Sequence, residues 1–229
     1  MKITFLSDTH NRHQQIKLEG GDILFFTGDF MTTGYSQVEV NNFLEWLKEQ
    51  PYRYKVCIAG NHDRYCESFP SYQIKDMFEQ YYDDGVRYIQ DEEIEVEGLK
   101  IYGTPYQPYF CNWAFNVQDT NKLSMIFEQI PENLDILLTH CPPFDILDKS
   151  HQPRPYYDRT GEEPLGSKEL SNVLSNLKNP PRYHCFGHIH GDGGKTVTVG
   201  ETTYINASVC DEGYKPSNQI ITLEIEPRG

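Results

Sequence analysis

Five short segments carry the side chains that bind divalent metal ions in proteins. In chain order they are Asp8-Thr9-His10, Gly28-Asp29, Gly60-Asn61-His62-Asp63, Thr139-His140 and Gly187-His188-Ile189-His190. Carboxylate, imidazole and amide ligands together suit borderline ions such as Mn, Fe or Zn, and the absence of thiolates argues against a structural zinc site. Each segment alone is a weak signal, since polar loops contain such residues by chance. The five together predict one shared metal site.

Two of these segments place candidate ligands two residues apart, as Asp8 with His10 and His188 with His190. In an extended chain this spacing puts both side chains on the same face. Each pair is therefore suited to joint ligation of one ion.

Each segment follows a short apolar run that is typical of a buried strand. The runs cover residues 3–6, 23–26, 54–59, 135–139 and 183–186. Ligand crevices in α/β sheets lie at the carboxyl ends of the strands. We therefore expect the five segments to converge on one place.

Apolar residues at helical spacing predict four helices near residues 36–50, 74–81, 123–130 and 170–177. Ser36 followed by Glu39 is typical of a capping box at the start of the first helix. Period-two patterns predict a hairpin around Glu97-Gly98 and strands at 196–199, 203–205 and 220–225. Mixed strands and helices predict α/β layers around a mixed sheet or two packed sheets, within one domain over residues 1–229.

The composition narrows the classes of partner. The chain has 229 residues and a net charge of −14, which argues against long nucleic acid and anionic membranes as partners. It contains no apolar run of transmembrane length and no signal-peptide pattern. Its six scattered cysteines indicate reduced thiols. We expect a cytoplasmic protein, either a monomer or a homodimer.

The ordered motifs, which span residues 8–190, resemble those of the calcineurin-like metallophosphoesterases. The resemblance implies a four-layer α-β-β-α sandwich of two mixed sheets flanked by helices. It also implies a dinuclear centre with two divalent ions, Mn being favoured over Fe or Zn. One ion would be held by Asp8, His10, Asp29 and His190. The other would be held by Asp29, Asn61, His140 and His188, with Asp29 bridging.

The resemblance gives His62 a different role, as the proton donor to the leaving oxygen during attack by a metal-bound hydroxide. The family's protein phosphatases carry an Asp and an Arg shortly after the bridging Asp, where this chain has Thr32 and Thr33. The resemblance implies that this Asp would orient His62 and that this Arg would grip a phosphomonoester. Protein phosphatase activity is therefore disfavoured. Arg64 is a candidate replacement for the missing cation.

A closer resemblance is to the brain-type metallophosphoesterase-domain proteins and bacterial cyclic-nucleotide phosphodiesterases. It is carried by Gly28-Asp29-Phe30, Pro105-Tyr106-Gln107-Pro108-Tyr109, Asn112-Trp113-Ala114-Phe115-Asn116, Thr139-His140-Cys141-Pro142-Pro143 and Asn206-Ala207-Ser208. Those relatives imply hydrolysis of small phosphodiesters, cyclic nucleotides among them. Both histidines of Gly187-His188-Ile189-His190 are present, so the sequence indicates an intact metal site.

The candidate substrate contacts are Arg64, Asn112, Trp113, Arg154 and Arg159. The last two lie in the aperiodic stretch 144–166, a candidate rim of the site. The aromatic residues near Trp113, from Tyr106 to Phe110, either stack on a base or pack the loop.

The sequence thus predicts a metal-dependent phosphodiesterase for small phosphoesters. A small-molecule phosphomonoesterase is the first alternative and a nuclease the second. A non-catalytic scaffold of the same fold is the alternative outside the enzymes.

Overall fold

The computed structural model describes residues 1–32, 34–151 and 164–228. Its strands are Lys2–Leu6 (β1), Gly21–Thr27 (β2), Tyr52–Ile58 (β3), Val86–Tyr88 (β4), Glu92–Val96 (β5), Leu99–Thr104 (β6), Gln107–Pro108 (β7), Asn116–Val117 (β8), Ile136–Thr139 (β9), Tyr183–Phe186 (β10), Lys195–Val199 (β11), Thr202–Asn206 (β12) and Ile221–Glu224 (β13). Its helices are Gln37–Lys48 (α1), Arg64–Glu67 (α2), Ser71–Glu79 (α3), Thr120–Phe127 (α4) and Lys168–Asn176 (α5).

The strands form two large mixed sheets and a small β7–β8 pair. The first sheet has the order β13-β1-β2-β3-β4 and the second β11-β12-β10-β9-β6-β5. Within each sheet the inner strands run parallel, and the antiparallel pairs lie at the edges. The parallel strands of each sheet therefore end at one common edge.

Three apolar clusters separate four layers. Between the sheets, side chains such as Phe5 and Phe25 of the first pack against Leu138 and others of the second. The outer face of the first sheet is covered by α1 and α3, through residues such as Phe43. The outer face of the second is covered by α4 and α5, through residues such as Phe127. This arrangement confirms the predicted α-β-β-α sandwich.

The local predictions hold with one correction. The predicted hairpin is present as β5 and β6, with Glu97 and Gly98 both at positive φ in its turn. Ser36 precedes α1, but its side chain makes no capping hydrogen bond. The capping box was therefore wrong, because the Glu39 carboxylate accepts a hydrogen bond from the Thr32 backbone N–H at 2.8 Å instead.

Two further observations bear on the sequence predictions. The six cysteines are free thiols. Among the described residues, no helix combines the length and the apolar character that crossing a bilayer would take.

Candidate metal centre

The candidate ligands lie where parallel strands of both sheets end. Segments after β1, β2 and β3 bring Asp8, Asp29 and Asn61 from the first sheet, and those after β9 and β10 bring His140 and His188 from the second. Backbone hydrogen bonds join these segments, for example from Asp8 N–H to the Gly28 carbonyl at 2.9 Å. The convergence predicted from the strand ends is present.

The first group of ligand atoms comes from Asp8, His10 and His190, which lie within 4.8 Å of one another. His10 Nε2 lies 3.1 Å from His190 Nε2 and 3.8 Å from Asp8 Oδ1. His190 Nε2 lies 3.4 Å from the same carboxylate oxygen. All three side chains therefore aim their donor atoms at one small volume.

The second group comes from Asp29, His140 and His188, which meet the same 4.8 Å limit. His188 is therefore in a different group from His190, and the expectation that this pair ligates one ion jointly was wrong, because the chain at His188 is not extended but has a φ of 67°. Asn61 joins them, because its Oδ1 lies 2.8 Å from His140 Nε2 and 2.7 Å from His188 Nδ1. Asp29 Oδ2 lies 3.4 Å from His140 Nε2. The amide predicted as a ligand is thus central to this group.

Asp29 lies between the two groups. Its Oδ2 is 3.4 Å from His140 Nε2 in one group and 3.9 Å from His10 Nε2 in the other. Its Oδ1 accepts a hydrogen bond from the His62 backbone N–H at 2.7 Å. One carboxylate oxygen therefore faces both groups while the other fixes the side chain.

Main-chain carbonyls fix the orientation of two ligand histidines. His140 Nδ1 donates to the Thr27 carbonyl at 2.8 Å, and His190 Nδ1 donates to the Asp211 carbonyl at 3.0 Å. In the neutral ring this leaves a lone pair on each Nε2, the atom that faces the centre. Such outer partners set the tautomer and the direction of ligating histidines in metal sites.

Two polar contacts hold the Asp8 carboxylate in the same way. Ser208 Oγ donates to Asp8 Oδ2 at 2.8 Å, and the His188 backbone N–H donates at 3.0 Å. Asn206 supports this arrangement, since its Oδ1 accepts from the Ser208 N–H at 3.1 Å. The Asn206-Ala207-Ser208 motif therefore acts on the centre through Asp8.

Asp63 joins the loops that carry Asp29 and Asn61. Its carboxylate accepts hydrogen bonds from the backbone N–H groups of Asp29 (2.8 Å), Gly60 (2.7 Å) and Met31 (3.0 Å). Complete burial, together with the charge of Asp29, raises the pKa of Asp63 well above its usual range. The side chain is thus a buried clamp for backbone donors.

The backbone at the site requires unusual conformations and close packing. Asp8, His10, Asp29 and His188 have φ between 42° and 67°, the left-handed region that most side chains avoid. A Cβ at Gly60 would collide with Asp29 Oδ1, and one at Gly187 with Asp8 Oδ2. These contacts explain why glycines precede Asn61 and His188.

The titration of the histidines reflects the carboxylates around them. Burial lowers the pKa of His10 to about 4 and that of His188 to about 3, so both rings are neutral. For His140 burial is outweighed by the charge of Asp29, which raises its pKa to about 9. The carboxylates of Asp8 and Asp29 therefore make a positive charge at the centre favourable.

The contacts of His140 show how a cation fits here. Its Nδ1 faces the Thr27 carbonyl and its Nε2 faces Asn61 Oδ1, both acceptors at 2.8 Å. Two acceptors require a doubly protonated ring, which the charge of Asp29 stabilises here. A cation that takes the lone pairs of Nε2 and Asn61 Oδ1 replaces that proton. The imidazole, carboxylate and amide donors also suit borderline divalent ions.

His62 lies beside the two groups without being enclosed by either. One of its ring nitrogens, a nitrogen of His10 and an oxygen of Asp29 lie within 4.8 Å of one another. Its Nδ1 donates to the Thr32 carbonyl at 2.6 Å. Thr32 is held in turn by Glu39, so a main-chain group has the place of the missing orienting Asp.

The predicted substrate contacts differ in their distance from His62 and in their exposure. The Trp113 ring stacks on His62, with 4.1 Å between centroids and 23° between planes. Arg64 donates to the Tyr35 hydroxyl at 2.8 Å and lies 5.2 Å from the centre of the Trp113 ring. Asn112 is exposed on the turn before Trp113. Thr33, Arg154 and Arg159 lie outside the described residues, as does much of the 144–166 stretch.

Sequence reasoning missed the roles of four residues. Asp63 belongs to one of the motifs, but its hydrogen bonds to three backbone N–H groups depend on the folded loops and could not be predicted from the sequence. Ser208 was noted only within a resemblance, and it is 200 residues from Asp8 in sequence. Tyr214 and Glu212 also line the pocket of about 110 Å³ beside His62, and neither belongs to a motif recognised in the sequence.

Comparison with known proteins identifies the family. Residues 1–192 match the model of the calcineurin-like phosphoesterases. The chain belongs to this family. Metallophosphoesterase domain-containing protein 1 of Homo sapiens is 38% identical over 239 residues, covering 96% of this chain and 69% of the human protein. A UPF0046 protein of Caenorhabditis elegans is 30% identical, covering 98% and 74% respectively.

Solved structures share the calcineurin-like phosphoesterase fold. Phosphopantetheinyl hydrolase from Mycobacterium tuberculosis aligns with a TM-score of 0.56 at 14% identity, over 99% of this chain and 96% of that one. TT1561 of Thermus thermophilus aligns with a TM-score of 0.57 at 13% identity, over 96% and 97%. Family membership implies a metal-dependent phosphoester hydrolase that uses divalent ions.

Proposed function

We propose that this chain is a dinuclear metal-dependent phosphodiesterase that hydrolyses small phosphodiesters, with cyclic nucleotides among its candidate substrates. The position of Asp29 carries the proposal, since one carboxylate oxygen faces ligand groups on either side. One ion would be held by Asp8, His10, Asp29 and His190. The other would be held by Asp29, Asn61, His140 and His188. Mn is the favoured metal, ahead of Fe and Zn.

Two such ions, when bound, lower the pKa of water to give a nucleophile and neutralise charge on the phosphoryl group. The protein supplies the rest. Asp8 and Asp29 are held as carboxylates, because histidine contacts keep the pKa of each below its usual value against the effect of burial. Substrate would enter the pocket lined by Asn61, His62 and Trp113.

His62 is suited to protonate the leaving oxygen. Its Nδ1–H is committed to the Thr32 carbonyl, so the doubly protonated ring would donate its Nε2 proton to the leaving oxygen and become the neutral Nδ1–H form. Stacking on Trp113 restricts rotation of the ring. Positioned imidazoles contribute about 10²- to 10⁴-fold to such proton transfers.

The charges of the residues that line this pocket favour a diester over a monoester. A monoester near neutral pH carries two negative charges and a diester one, so a monoester needs more cationic contacts. The pocket is lined by Asp29, Asn61, His62, Phe110, Trp113, His188, His190, Glu212 and Tyr214. None of these described residues is a lysine or arginine, and Glu212 adds negative charge.

The decisive assay compares Mn-reconstituted protein on bis(p-nitrophenyl) phosphate, p-nitrophenyl phosphate, and 2′,3′- and 3′,5′-cyclic nucleotides. We expect diester turnover to exceed monoester turnover, and Asp29→Asn to abolish both. Faster monoester turnover would replace the proposal by a phosphomonoesterase, and cleavage of DNA or RNA alone by a nuclease. Metal analysis giving fewer than about two ions per chain, with no turnover, would indicate a scaffold.

A further inference from the structure

A second cavity opens beside the candidate metal centre. Its volume is about 160 Å³, and the described residues that line it with His188 are Pro108, Tyr109, Phe110, Cys141, Leu165 and Ile189. These side chains are mostly apolar, in contrast to the polar pocket beside His62. Among the described residues that line it, His188 is the one candidate metal ligand.

The cavity adjoins the pocket at the centre, with which it shares two lining residues. His188 and Phe110 line both this cavity and the pocket that contains Asn61 and His62. A phosphoryl group held at the centre would therefore direct one ester substituent past His188 into the apolar cavity.

The size of the cavity matches one aromatic ring. A cavity of about 150 Å³ lined by apolar side chains stays dry and binds benzene in another protein. The volume here is about 160 Å³, so a single ring fits and a fused two-ring system overfills it. Aromatic walls add favourable ring contacts beyond the area that they bury.

Hydrogen bonds fix the walls of the cavity. The Tyr109 N–H donates to the Val117 carbonyl at 3.2 Å, beside the β7–β8 pair. The Cys141 thiol donates to the Tyr106 carbonyl at 3.6 Å, and the Leu165 N–H donates to the Asp148 carbonyl at 3.1 Å. The backbone is thus held by hydrogen bonds at three places around the cavity.

We propose that this cavity is a substrate subsite that selects phosphoesters carrying one flat, apolar ring. The proposal rests on the proposed function, because it takes the phosphoryl group to be held at the centre. It assigns the selection of the ester substituent to Leu165, Tyr109 and Phe110. Aryl esters and esters of single-ring heterocycles are the substrate class that this chemistry recognises.

The test measures binding and needs no turnover. Phenylphosphonate, methylphosphonate and 1-naphthylphosphonate are titrated calorimetrically into the Mn-loaded protein. We expect phenylphosphonate to bind about ten-fold more tightly than methylphosphonate, from burial of the ring. Naphthylphosphonate should lose that advantage.

Two substitutions at Leu165 alter the cavity in opposite directions. Leu165→Phe fills it and should bring the phenyl-to-methyl affinity ratio close to one. Leu165→Ala enlarges it and should improve naphthylphosphonate relative to phenylphosphonate. Val38→Phe is the matched control, because Val38 is 65% exposed on α1. Circular dichroism and thermal unfolding check that each variant is folded.

The outcomes separate the two proposals. A ratio that stays the same in folded Leu165→Phe and Leu165→Ala overturns the subsite, whatever the enzyme hydrolyses. Equal wild-type affinity for phenyl- and methylphosphonate overturns it as well. Ring-dependent binding without hydrolysis of any phosphodiester would retain the subsite and refute the phosphodiesterase proposal.

Discussion

Asp63 offers the sharpest test of how the centre is held together. Replacing it by alanine removes the acceptor of three buried backbone N–H groups, those of Asp29, Gly60 and Met31. A buried donor without a partner costs about 1–3 kcal/mol, so the gross loss is roughly 3–9 kcal/mol. Removing a buried carboxyl recovers part of that loss. We expect Asp63→Ala to lower the free energy of unfolding by about 3 kcal/mol.

The same substitution should weaken metal binding, since Asp63 joins the loops of Asp29 and Asn61. Outer contacts of this kind are worth about 10- to 100-fold in metal affinity. Asp63→Asn keeps one acceptor oxygen but places an amino group against at least one N–H. It should therefore fall between wild type and alanine in both properties.

Urea unfolding of the metal-free protein and calorimetric titration of Mn²⁺ measure the two effects. Asp76→Ala is the control, because Asp76 is exposed on α3. A loss of less than about 1 kcal/mol for Asp63→Ala, with unchanged Mn²⁺ affinity, would refute the clamp.

Three further results are expected. Ser208→Ala, which removes the hydroxyl donor to Asp8 Oδ2, should weaken Mn²⁺ binding about 10- to 100-fold in a calorimetric titration. His62→Asn should slow diesters with poor leaving groups by about 10²- to 10⁴-fold and p-nitrophenyl diesters much less, measured as kcat. Burial lowers the pKa of His13 in the folded protein to about 4. Between about pH 6.5 and pH 4, the unfolded chain therefore binds a proton at His13 and the folded chain does not. The metal-free protein should lose stability over that window, and His13→Phe should lose less by urea unfolding.

Each of these has a contrary result. Unchanged Mn²⁺ affinity in Ser208→Ala would show that the Ser208 hydroxyl does not contribute to metal binding. Equal losses on poor and good leaving groups in His62→Asn would contradict proton donation. Identical acid profiles of wild type and His13→Phe would show that His13 is accessible to protons in the folded protein.

The strand ends were predictable because their signal is local. A buried parallel strand is a continuous apolar run, and the polar residue that ends it marks the sheet edge. Asp8, Asp29, Asn61, His140 and His188 all follow such runs and meet in the fold. The hairpin at Glu97-Gly98 was predictable for a similar reason, since its turn depends on two adjacent residues.

Contacts between loops that are distant in sequence could not be predicted from local sequence patterns. Glu39 has the spacing of a capping box, yet its carboxylate binds Thr32 because the loop after β2 passes over the start of α1. The cavity at Leu165 is built from four separate segments, which contain Tyr109, Cys141, Leu165 and His188, and no local pattern indicates that they enclose a cavity. Local propensity cannot report such contacts, since they arise only when the layers pack.

The partner of His62 bears on how the sequence can change. The ring is oriented by the carbonyl of Thr32, an atom that every amino acid possesses. Side-chain substitutions at position 32 leave that acceptor in place as long as the loop keeps its path. An orienting aspartate, by contrast, is lost by a single codon change. The orientation of His62 therefore depends on the length and backbone course of this loop more than on its side chains.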